Sequence, residues 1–269
     1  MGSGPGGLSR AALAELWSFR EVLMAFAVRF TKIKYKQAAI GVGWAVLQPL
    51  LSALIFALIF GHFAHLPSEG GSYVLFALTG MVAWTYFSTS VTTASQSLVD
   101  EQSLLRKVYF PRETLPLGAI GAGLVDLASG LAVLLVALTI GGRFPTIAWV
   151  FLPVPLLVLI AIAAAAGLSF GALNVYYRDA RYTLPFLLQI GLFVSAVIYP
   201  LSLFPEGLRN IWSVVNPVVG AIEALRAILI RGDWPQMGII WGALAWSLLL
   251  LLGSYMLFKR LERAFSDRV

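Results

Sequence analysis

Residues 96–116 read QSLVDEQSLLRKVYFPRETLP, and this stretch decides the fold. Asp100, Glu101, Arg106, Lys107, Arg112 and Glu113 stand together in it, flanked by apolar runs long enough to cross a bilayer. A chain with that pattern leaves a membrane, lies against its surface and goes back in. Leu104, Leu105, Val108, Tyr109 and Phe110 lie beside the basic residues. An apolar patch next to cations suits docking into an acidic-rimmed partner better than it suits a solvated loop.

The composition agrees with a membrane class. The chain of 269 residues is 59% hydrophobic and 12% charged, with a mean hydropathy of +0.85, whereas soluble domains carry roughly 25% charged residues. Its length suits one domain of about six helices of about 20 residues each. A net charge of +6 would point to nucleic acid in a soluble protein. Here no nucleic-acid partner is expected, because Lys and Arg gather in loops facing anionic membrane lipids. The absence of cysteine excludes disulfides, thiolate catalysis and cysteine-held metals. His62 and His65 lack nearby carboxylates, so no metal site is expected.

Residues 1–7 are Gly-rich and read as disordered, and the charges that follow do not resemble a cleavable signal. Residues 8–36 read as an amphipathic interfacial helix. Leu13, Leu16, Trp17, Leu23, Phe26 and Phe30 form its apolar face, with Arg20, Arg29, Lys32, Lys34 and Lys36 as its cations. The transmembrane domain spans 37–260, with spans expected near 38–63, 73–99, 117–140, 146–177, 184–199 and 237–258, and a tail at 261–269. Pro49 should kink the first span, and Gln48 beside it should face protein or water.

The second span is aromatic first, then rich in hydroxyls from Ser88 to Ser97. Two uses fit those hydroxyls: lining a polar path, or bonding between helices. In the third span Gly118, Ala122, Asp126 and Gly130 share one face, and their small size admits a neighbouring helix. Asp126 is either a functional intramembrane acid or a buried acid bonded to that neighbour. Ala163, Gly167 and Gly171 offer a second close-packing stripe. Between spans five and six, Pro200, Pro205, Gly207 and Asn216-Pro217 break the chain into pieces too short to cross. Residues 205–231 therefore read as a re-entrant helical hairpin.

Fifteen of the nineteen Lys and Arg residues fall in the N-terminal segment, the island, the 177–182 turn and the tail. The positive-inside rule then places both termini in the cytoplasm for six spans. Counting the hairpin as a seventh span would put the basic tail outside and Pro217, Glu223 and Arg226 in lipid. No GxxxxGK[ST] loop, catalytic triad or metal spacing occurs. Asp126 alone is too little for proton coupling, and no inverted repeat with broken helices is evident. A conduit without its own energy source calls for an external motor.

Several motifs then fall in a familiar order. Tyr35-Lys36 is followed by Ile40-Gly41, Trp44 and Gln48-Pro49-Leu50. The island carries Leu104, Arg106-Lys107, Phe110-Pro111-Arg112-Glu113 and Leu115-Pro116. Tyr177-Arg178-Asp179 with Arg181-Tyr182, then Asn216-Pro217, Glu223 and Arg226, complete the set. From about residue 17 to 260 the chain resembles the permease subunits of bacterial ATP-binding-cassette exporters, in the branch that moves O-antigen polysaccharides and teichoic acids.

The resemblance implies an all-α integral protein of the bacterial cytoplasmic (inner) membrane. It implies a homodimer joined to two copies of a separate ATPase, with ATP and Mg held there and no cofactor on this chain. Gln102, Leu105, Arg106, Lys107, Tyr109, Phe110 and Arg112, with Arg178 and Asp179, would form the coupling contact. Trp44, Gln48, Trp84, Tyr86 and Phe87 would line the pathway, although the tryptophans equally suit membrane-interface anchoring. Arg29, Lys32, Lys34 and Lys36 would receive the diphosphate of a lipid-linked glycan, or else bind anionic lipid. Glu206, Arg209, Asn216, Glu223 and Arg226 would belong to an outer gate. Two other readings are a related permease for a small drug or lipid, and a membrane enzyme acting on polyprenyl-linked sugars. Lipid-linked glycan raising ATP turnover separates the first, and product formation without an ATPase would favour the second.

Overall fold

Ser72 starts the helix around which the others pack. Its hydroxyl accepts the Leu75 amide at 3.4 Å and caps α4 (Tyr73–Asp100). The structure, a computed structural model, describes residues 10–36, 41, 43–68, 72–177 and 179–262. Among them every regular element is helical. Before α4 come α1 (Arg10–Ser18), α2 (Arg20–Tyr35) and α3 (Gly43–Phe56), the last ending in a π-helical turn, Ala57–Phe63. After it come α5 (Gln102–Leu105), α6 (Thr114–Ile140) and α7 (Pro153–Tyr176), the last preceded by a 3-10 turn at Ile147–Phe151. The chain closes with α8 (Ala180–Val194), α9 (Glu206–Val215), α10 (Pro217–Arg226) and α11 (Met237–Glu262). A π turn, Ala227–Arg231, follows α10.

α4 is the axis of the bundle. Some 83% of its most apolar window is buried, against 17% for those of the first and last long helices. It packs on α3, α6, α7, α8 and α10. Small residues set these distances, because in lipid close van der Waals contact replaces the hydrophobic drive. A Cβ on Gly130 of α6 would stand 2.9 Å from Val82, and one on Gly167 of α7 would stand 2.8 Å from Ala94.

Five helices are long and apolar enough to span, and six if the α9–α10 pair, bent by 112°, counts as one. The chain is thus a multi-pass, all-helical membrane protein. Two details differ from the sequence reading. The amphipathic segment is two helices, separated at Phe19. The expected fifth span near 184–199 begins instead at Ala180 and stops at Val194. Those 15 residues reach about 22 Å, short of a roughly 30 Å hydrocarbon core. Within the expected hairpin, α10 packs inside the bundle. Val218, Ala221, Ile222 and Leu225 are buried in the main core and Val219 in a smaller cluster with Ala196 and Leu201, so Arg226 and Pro217 meet protein rather than lipid.

Candidate functional site

At one end of the bundle the charged island separates into a root and a tip. The one-turn α5 leads into an exposed stretch, Arg106, Lys107, Val108 and Tyr109, with Tyr109 81% exposed. Gln102 and Leu105 are half-buried beneath it. The next residue turns inward. Phe110 is buried against Phe26, 5.2 Å between ring centroids, in a cluster with Leu98, Leu115, Leu168 and Phe258. Phe110 is therefore a root residue, packed beneath the tip rather than exposed in it. Arg112 is also held from within, donating to the Glu262 carbonyl at 3.1 Å.

Glu113 stands in the island and its motif without an assigned role in the sequence reading. Its buried carboxylate accepts from Lys259 Nζ at 2.8 Å and from the Tyr255 hydroxyl at 3.3 Å. Lys259 also donates to Glu262 at 2.9 Å. Removing one partner of such a buried pair leaves an uncompensated charge, so the island is fastened to the end of α11. Tyr109 donates to the Glu15 carboxylate at 3.1 Å, and that bond raises its pKa. Asp179 starts α8, its carbonyl accepting the Thr183 amide at 2.9 Å. Arg178 lies outside the described residues.

Toward the same end, a cavity of about 560 Å³ opens between α2, α4 and α6. One wall is the hydroxyl face of α4, with Ser88, Thr89, Ser90, Thr92 and Thr93. Most of these hydroxyls donate back along their own helix, as Thr92 does to the Ser88 carbonyl at 2.7 Å. Their oxygens keep acceptor capacity toward the cavity. Ser90 Oγ and the Tyr86 hydroxyl are buried without a partner. The small-residue face of α6 receives α2, since a Cβ on Gly118 would lie 2.7 Å from Phe26. Asp126, on that face, accepts from both Lys34 and Tyr35. Burial first, then Asp126, raises the Tyr35 pKa, so it serves as a neutral donor.

The four entrance cations therefore divide. Lys34 is paired with Asp126, and Arg29 with Glu101 at 2.7 Å. Lys32 and Lys36 are exposed and make no ion pair among the described residues. A double-mutant cycle with Asp126→Asn and Lys34→Met should show a coupling of about 1 kcal/mol in detergent unfolding. The value is held down because the Lys34 side chain is 43% exposed. Strict additivity would remove the clamp.

The expected pathway residues do not share one surface. Trp44 and Gln48 are exposed on α3. Phe87 is half-buried, while Trp84 and Tyr86 are enclosed by the chain's own helices. Trp84 fills the space left by Gly191, where a Cβ would meet its ring at 2.7 Å. Its role in this fold is to pack α4 against α8.

At the opposite end of α4, the chain after α8 unwinds and exposes its carbonyls. Four of them are met by side chains. Trp212 donates to Val194 at 3.0 Å and Tyr73 donates to Ile198. Arg226 donates to Ala196 at 3.1 Å and to Val197 at 2.7 Å. The same guanidinium meets Glu223 at 2.7 Å and lies 3.4 Å over the Phe76 ring. Gly80 makes room for this segment, because a Cβ there would stand 2.6 Å from the Val197 carbonyl. Asn216 donates to the Ser195 hydroxyl at 3.1 Å. The exposed Glu206 pairs with the half-buried Arg209 at 3.7 Å.

An exposed basic tip, a membrane bundle without a nucleotide loop and a carbonyl-capped broken segment suit a transport component. Residues 21–230 match the ABC-2 type transporter family. The chain belongs to that family. It is the membrane-embedded permease of an ATP-binding-cassette exporter, a transport component rather than an enzyme. It is 28% identical over 256 residues to the "O-antigen export system permease protein RfbA" of Myxococcus xanthus, covering 95% of this chain and 98% of that one. A Klebsiella pneumoniae protein of the same name is 23% identical over 252 residues, or 92% and 94% of the two chains. The "Polysialic acid transport protein KpsM" of Escherichia coli is 25% identical over 211 residues, or 77% and 81%. Among the described residues no cluster of His, Cys, Asp or Glu is able to hold a metal.

Proposed function

We propose that this permease exports a lipid-linked polysaccharide, of O-antigen or teichoic-acid type, across the bacterial cytoplasmic membrane. Two copies pair with two ATPase subunits that hold ATP and Mg. Both termini face the cytoplasm, and α9 with α10 forms a re-entrant hairpin at the outer end. The observation that carries the reading is the exposed tip at Arg106–Tyr109 on a buried root, which suits a docking partner. When ATP closes the partner dimer, the tip moves and the helix interfaces along the path separate.

The α2–α4–α6 cavity suits part of that path. Its charged lining is Lys34 against Asp100, Glu101 and Asp126, with Lys34 held by Asp126 and Glu101 held by Arg29 from outside the lining, so its wall offers hydroxyls and acceptors to a glycan's hydroxyls. The diphosphate has Lys32 and Lys36 to meet it instead. Reconstituted with its ATPase, the permease should show ATP turnover that rises with lipid-linked glycan and not with small drugs. Stimulation by drugs alone, or product formed from polyprenyl-linked sugar without any ATPase, would overturn the reading.

A further inference from the structure

A second cavity, of about 610 Å³, lies at the hairpin end, between α9, α10, α11 and the turn that follows Arg231. Its volume falls within the range of small-molecule sites, roughly 300–1,000 Å³. Arg209, Glu223, Arg231, Asp233, Trp234 and Gln236 line it. Two cations stand against two acids there, which leaves no charge surplus to favour an anion. Glu223 is already engaged, with one oxygen on Arg226 and the other 4.0 Å from Arg231. Guanidinium, carboxylate and amide groups are planar forks that bond two neighbouring hydroxyls at once. Trp234 is 50% exposed, although it contacts Phe151 at 5.2 Å between ring centroids. A half-exposed indole beside fork-shaped polar groups presents an apolar platform with hydrogen bonds around its edge. A sugar ring, with its C–H face and rim of hydroxyls, has the complementary shape and chemistry.

We propose that this pocket is a glycan subsite, holding a sugar unit of the exported chain on Trp234 at the end of the bundle opposite the island. The proposal rests on the polysaccharide-export reading. Its test uses the complete exporter in lipid nanodiscs, with a lipid-free oligosaccharide cut from the surface polysaccharide of the organism carrying this chain. In isothermal titration the wild type should bind the oligosaccharide. Trp234→Ala should weaken binding about tenfold, and Trp234→Phe should stay within a few-fold of wild type. Gln236→Ala, at an exposed position, should also weaken binding, and inorganic phosphate should not compete. Basal ATP turnover should be the same in all variants.

Equal binding by Trp234→Ala would make the indole a membrane-interface anchor and overturn the subsite. Competition by phosphate would overturn it in favour of an anion site. If the oligosaccharide does not bind while lipid-linked glycan still stimulates turnover, the subsite falls and the export reading stands. If it binds through Trp234 while lipid-linked glycan neither stimulates turnover nor crosses, the export reading falls and the pocket remains a sugar site.

Discussion

Replacing Arg226 by alanine should collapse the hairpin end of the bundle. Removing one partner of a buried, hydrogen-bonded pair costs about 3–5 kcal/mol. Here the loss also strips the Ala196 and Val197 carbonyls of their donor. In detergent the Tm should fall by on the order of 10 °C, with poor recovery of folded protein. Lysine should not rescue it. An ammonium has no planar face to lie on Phe76 and no fork to bridge two carbonyls and Glu223. Glu223→Gln, which keeps an acceptor for the guanidinium, should be much milder. An Arg226→Ala protein that melts like wild type would show that the unwound segment holds itself.

Charge reversal at the tip, Arg106→Glu with Lys107→Glu, should act without touching stability, because both side chains are exposed. If the tip docks into an acidic-rimmed ATPase, like-charge juxtaposition costs several kcal/mol. Recovery of the ATPase on the tagged permease should then drop about a hundredfold, and export should stop. Phe110→Ala should do the reverse, lowering the Tm through lost core packing. Wild-type ATPase recovery and export from the reversed tip would remove it from the coupling role.

The membrane class, the helical content and the family were legible in the chain, and the reasons differ. Hydropathy reports the solvent a helix meets, and spacing reports its faces. Gly118, Ala122, Asp126 and Gly130 thus announced a close contact, although not that α2 would fill much of it. Orientation inside charged or aromatic segments was not legible. Phe110 and Tyr109 are neighbours of similar character, yet one is buried and the other exposed. Only the root cluster, assembled from five helices, decides which turns inward. Glu113 and Lys259 lie 146 residues apart, and no local spacing links them. The burial of Arg226 was not legible, because its acceptors come from the unwound α8 end, some thirty residues earlier in the chain. The packing of Trp84 and Tyr86 inside the bundle was not legible either, because an aromatic suits a sugar path and a helix interface equally well.

The root of the island has a mechanical meaning. Phe110 pins it to the inner cluster, and Glu113 with Arg112 ties it to the end of α11. Two anchors this close behind a four-residue tip leave little slack to absorb a push. The island is then a short, stiff crank on a fixed pivot. A displacement applied at Arg106–Tyr109 goes directly into α6, which begins one residue after Glu113, and into α11. If the tip takes the push of the proposed ATPase, softening the pivot, rather than blunting the tip, would yield a transporter that burns ATP and moves nothing.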